Sequence, residues 1–104
     1  MAMTVAINGT TWVYVVVQDP EKNEQILGQH DSEADIAYIP AFLDKETAIM
    51  GVGRMAKSKG PRYEIQALIF EDLVAHAAKG GFFIFVLDED GKIMAKFTPT
   101  GEKA

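Results

Sequence analysis

The sequence contains no cysteine. That excludes disulfides, thiolate nucleophiles and every zinc site built on sulfur, and it fits a reducing compartment. Long apolar runs are missing too. The longest in the first half, Trp12 to Val17, has six residues, against the ~20 that a helix needs to cross a bilayer. The start, Met1-Ala2-Met3-Thr4, carries no basic segment, and no apolar segment follows it directly; a cytoplasmic protein with no membrane span is expected. Excess basic charge is absent as well. Ten Lys and Arg stand against 15 Asp and Glu, a net charge of −5, which argues against general nucleic-acid binding. Serine is confined to Ser32 and Ser58, neither in a G-x-S-x-G elbow, and the glycines match neither G-x-G-x-x-G nor a P-loop.

What is present points to one domain over residues 1–104. Hydrophobic residues make up 48% of the chain, too many for a disordered segment and enough for a core. "WVYVVV" (12–17) and "GFFIFVLD" (81–88) are apolar on both alternating faces, as in strands buried on both sides. "QILGQ" (25–29) is a short strand, the return arm of a hairpin from the first. Residues 36–42 form another, with Pro40 placed at a sheet edge or near the strand's end because it lacks a ladder N–H. Asp44 then caps a helix of about four turns. Glu46 lies in its first turn, and Ala48, Val52, Met55 and Ala56 make one face beside Ile49. Gly51 and Gly53 weaken this helix and are read as sites of close approach to the sheet. Gly60-Pro61 stops it.

"RYEIQALI" (62–69) alternates, with Tyr63, Ile65, Ala67 and Ile69 inward and Glu64 and Gln66 outward. Phe70, Leu73, Val74 and Ala77 then repeat at helical spacing, with Gly80 as the residue after the helix. "DEDG" (88–91) is a hairpin turn, and "KIMAKF" (92–97) alternates with Ile93, Ala95 and Phe97 inward. Residues 98–104 should fray as a flexible tail. The order β-β-β-α-β-α-β-β defines an α/β fold, bordering on α+β. It is expected as a single mixed sheet of five to six strands, partly parallel, with two helices.

Chemistry-bearing constellations are scarce. The acidic turn 88–91 fails as a calcium loop, because Val86 and Phe97 would fall where oxygen ligands are needed. His30 with Asp31, Glu33 and Asp35 reads as a solvated acidic loop, so no metal is assigned. His76 has no partner at a telling spacing. The basic stretch 54–62 lies where a helix C-terminus favours cations. No catalytic residue and no cofactor is assigned.

"AYIPAF" followed by "LDKETA", then "YEIQALIFEDLVAHAA" and "GGFFIFVLDEDG", resembles the SseB N-terminal-like family over residues 36–91. Family members show an aromatic and a Pro before a Phe at a strand end, a short acidic and Ala-rich helix, and a second helix marked by acidic residues and Leu. Members often carry a polar Asn-Pro-Gly-like segment near the last strand, whereas here Phe82 to Leu87 run into an acidic turn. The resemblance implies an α/β fold and no established catalytic residues.

The leading expectation is a non-enzymatic protein-interaction or regulatory module. The alternative is a small-ligand binding domain or modest enzyme, with a pocket at the strand–helix junctions near Phe42, Asp44, Phe70 and Glu71, where open α/β sheets bind ligands. A homodimer, or a protein partner, is expected through an apolar sheet face: two helices on the same face would leave the other bare.

Overall fold

The computed structural model describes residues 7–18, 25–53 and 62–104. Met55, Ala56 and Gly60-Pro61 lie outside them. Within them the order is β1 (Trp12–Gln18), β2 (Gln25–Ile26), β3 (Gln29–Asp31), β4 (Ile36–Ala41), α1 (Lys45–Val52), β5 (Tyr63–Ile69), α2 (Phe70–Gly80), β6 (Phe83–Leu87) and β7 (Ile93–Phe97). The mixed α/β character and the two helices are as expected. The single sheet is two: β2-β1-β5, and β3-β4-β6-β7 with β4 and β6 parallel.

The cause of the division is the segment 25–31. It is not one strand but two short ones on different neighbours. Ile26 pairs with Val17 of β1, and Gln29 pairs with Tyr38 of β4. β4 itself touches β1 at one point. There Tyr14 and Phe42 exchange two backbone hydrogen bonds, of 2.7 and 2.9 Å. The two sheets are therefore joined by this bridge and by the 25–31 segment, which pairs with a strand of each. Pro40 sits next to the end of β4, beyond the reach of β3, so its missing N–H costs β3 nothing.

The register assigns each side chain to a face, because side chains alternate along a strand. Val13, Val15 and Val17 share a face with Gln66 and Leu68. Ile39, Ala41, Ile84, Val86 and Phe97 join the same buried cluster, and Phe70, Leu73 and Ala77 of α2 cover it. The opposite face carries Val16, Ile65, Phe42, Pro40 and Phe85. Here α1 packs, with Ala48 and Gly51 buried. One helix thus lies on each face. The arrangement that would strip one face of cover, on which the homodimer expectation rested, is not the one formed.

Gly51 owes its place to Phe42. A Cβ at Gly51 would sit inside the van der Waals radius of the Phe42 ring, and Phe42 has no exposed surface through which to yield. Gly53 has no such neighbour, the nearest atom being 3.6 Å away, so only one of the two glycines marks a close approach. At the end of α2 the left-handed residue is Gly81, φ 71°, one position later than expected; its N–H donates to the Ala77 carbonyl.

Three departures share a cause in tertiary pairing. β5 is met by a helix on each side, so Gln66, expected to face solvent, lies on the α2 side, while Ala67 is exposed. In β7 the pairs Val86–Ala95 and Leu87–Ile93 leave Met94 as the extra residue of a bulge. The bulge turns Ile93 away from Ala95 and Phe97, and it is 44% exposed. Residues 98–104 do not lie loose beside β7. Lys103 bridges Phe97, and the Ala104 N–H donates to the Lys96 carbonyl at 2.9 Å. That return covers the outer edge of β7, an edge otherwise open to pairing with other chains.

Candidate functional site

The four residues read as a junction pocket do not form one. Phe42 is buried beneath α1. Asp44 is exposed at the start of α1, where its Oδ1 accepts the Thr47 N–H at 2.8 Å. That hydrogen bond holds the Asp44 carboxyl below its ordinary value of 3.8. Phe70 is buried on the other face, its ring 4.7 Å from that of Phe97. Glu71 is exposed, and its N–H donates to the Gly9 carbonyl at 2.9 Å. Phe42 and Phe70 are thus core, on opposite sides of the sheet, while Asp44 and Glu71 belong to helix starts.

A cleft lies elsewhere. It has a volume of about 870 Å³ and opens between the flank of α2 and the three-stranded sheet. Its apolar surface comes from Ile26, Leu68 and Phe82, which are half-buried, while Val15, Val17 and Ile39 lie behind them at no more than 2% exposure. Its rim is polar. Asp72, His76 and Lys79 come from α2, and Gln25 and Gln66 come from β2 and β5. The cleft exists because α2 spends its apolar stripe, Phe70, Leu73 and Ala77, on the shared core. Its next stripe, Asp72, Ala75, His76 and Lys79, is exposed and forms one side of the cleft.

A second cavity of about 460 Å³ adjoins this one, sharing Gln25, Ile26 and Phe82 and reaching Gln18, Gln29 and His30. Together they make a groove along the 25–30 segment. At its far end His30 Nε2 lies 3.0 Å from Asp35 Oδ1. Among the described residues no three His, Asp or Glu side chains converge to hold a metal ion. Nor does a hydrogen bond orient His76 there.

Sequence reasoning treated His76 singly and set Gln66 on a solvent face. The signal that could have found the site was the spacing of Asp72, His76 and Lys79 at i, i+4 and i+7, which is one side of a helix. Its facing wall depends on the register of β5 against β1, which no local pattern displays. No protein-family model, no curated protein and no solved structure matches this chain. The likeness to the SseB N-terminal-like family therefore rests on the motifs quoted above.

Proposed function

We propose that this chain is a non-enzymatic regulatory module that binds a small ligand in the cleft between α2 and the β2-β1-β5 sheet. One observation carries the reading: a cleft of about 870 Å³ that joins an apolar floor to a few polar side chains. That size and that division of labour are usual for ligand sites, where the floor supplies affinity and the polar groups supply orientation. It is a reading of binding and not of turnover. A general base needs a partner that fixes its tautomer and direction, and the cleft offers His76 no such partner among the described residues.

This joins the expected regulatory module to the small-ligand site of the alternative reading, and moves that site away from Phe42, Asp44, Phe70 and Glu71. Self-association has lost its covering argument, since α1 and α2 take one face each.

The test is a thermal-shift screen of metabolites and short peptides on the wild type and on Ala75→Trp. Ala75 is exposed and lines the cleft, so the indole fills the space without entering the core. At least one compound should raise the melting temperature of the wild type and leave Ala75→Trp unmoved. Equal shifts in both proteins, or no shift in either, would defeat the proposal.

A further inference from the structure

The chemistry of the groove specifies its ligand more narrowly. We infer that the site takes a short apolar peptide with both termini free, of about three residues, its amino end at Asp72 and its carboxyl end at Lys79. This rests on the ligand-binding reading above and goes one step beyond it.

Three features support the assignment. The first is the placement of charge. Asp72 and Lys79 are both on the cleft side of α2, one in its first turn and one in its last. Seven residues of helix separate them by ~10 Å. An extended tripeptide spans about the same distance, at ~3.3 Å per residue. The helix dipole favours an acid early and a base late in any helix. It does not require that both face the cleft, and Glu71, the other first-turn acid, does not line it.

The second feature is amide chemistry. Gln25 and Gln66 line the cleft, and Gln18 and Gln29 line its continuation. A carboxamide offers a donor and an acceptor in one plane, the same pair that a peptide group presents. An inorganic anion or a nucleotide would call instead for several cations or a run of backbone N–H groups. Lys79 is the one Lys or Arg on the walls of either cavity among the described residues.

The third is the floor. Ile26, Leu68 and Phe82 give it a half-buried apolar surface, suited to an apolar side chain projecting from an extended chain. A second protein is not required, because the two charged ends close the site at about three residues.

The experiment is titration calorimetry with alanyl-leucyl-alanine and its N-acetyl and C-amide derivatives. The wild type should bind the free tripeptide and lose about tenfold or more with either block, the usual range for a charge-assisted hydrogen bond. In Asp72→Asn, acetylation should cost little further; in Lys79→Gln, amidation should cost little further. Both positions are exposed, so both variants should fold, and circular dichroism checks that they do. Equal affinity of blocked and free peptides for the wild type overturns the assignment. So does absence of binding at millimolar peptide. If a different compound from the thermal-shift screen binds the wild type but not Ala75→Trp, the peptide assignment falls and the ligand-binding reading stands.

Discussion

Two strands in this molecule hand over to helices, and they do it by opposite means. Between β4 and α1 the chain turns through Phe42, Leu43 and Asp44, and Asp44 caps the helix with its own side chain. Between β5 and α2 there is no connecting residue. Ile69 ends the strand, Phe70 opens the helix, and no side chain caps it. Two free N–H groups of that first turn are satisfied from far away in the sequence. Phe70 donates to the Thr11 carbonyl at 2.8 Å and Glu71 to the Gly9 carbonyl at 2.9 Å. A helix start leaves N–H groups without intrahelical acceptors, and the two junctions show a local and a tertiary answer to the same requirement. The local answer leaves a sequence signature. The tertiary answer leaves none, and it ties α2 to the segment that precedes β1.

The comparison can be broken most sharply at the Phe42 ring, which anchors the first junction. Phe42→Ala removes a fully buried aromatic side chain from between β4 and α1, and should destabilise the fold by about 3–5 kcal/mol. Urea denaturation measures it; a loss below 1 kcal/mol, a bound well under the range for such truncations, would mean that α1 is not held by that ring. Gly51→Ala comes next. Alanine improves helix propensity by ~1 kcal/mol, but its methyl group would overlap the Phe42 ring. Overpacking of a closed site should win, with a net loss of about 1–3 kcal/mol. The loss should shrink in the Phe42→Leu background, since the two residues touch and their effects couple. A stabilised Gly51→Ala would show that the ring has room to move.

The same contrast explains how much could be read without coordinates. The β4–α1 joint was legible: Pro40 near a strand end, Asp44 as cap, Gly51 as a close approach. All are short-range devices. The composition of the α2 core stripe was legible for the same reason. What escaped depends on pairing between distant segments. Residues 25–31 look like one strand locally, and only their two partners, β1 and β4, make them two. Met94 looks like an ordinary outward residue until Leu87 pairs with Ile93. Gln66 looks solvent-facing until α2 folds back beside it. The cleft was missed through that last step, since one wall is a helix stripe and the other is set by strand register.

The tertiary cap is tested through the turn that presents it. Asn8 Oδ1 accepts the Thr10 N–H at 2.9 Å and the Thr10 hydroxyl at 2.8 Å, and Thr11 Oγ1 accepts the Asn8 N–H at 2.9 Å. These bonds hold the Gly9 and Thr11 carbonyls in position. Asn8→Ala should cost about 0.5–1.5 kcal/mol and should raise hydrogen exchange at Phe70 and Glu71 more than at Thr47. Equal changes at both helix starts would contradict the division between a local and a distant cap.

The smallest effect, and the most specific, belongs to the local cap. The Thr47 N–H bond lowers the Asp44 carboxyl below 3.8, its ordinary value. A carboxyl whose folded value is depressed contributes stability that is fully present above the unfolded value and is lost as the pH falls through the folded one. The contribution of this charge should therefore be constant from neutral pH down to about 5, begin to shrink near the unfolded value of ~3.9, and vanish below the folded value. Asp44→Asn separates charge from geometry, since its carboxamide still offers an acceptor to the N–H while carrying no titratable group. The wild type should melt above Asp44→Asn at neutral pH, and the gap should close as the solution is acidified through that window. Asp44→Ala, with no acceptor, should melt below both at neutral pH. No counterpart is expected at α2, whose cap is made of backbone carbonyls and cannot titrate. A gap between wild type and Asp44→Asn that stays constant down to pH 2, well below the usual carboxylate range, would show that the charge of Asp44 plays no part in holding the start of α1.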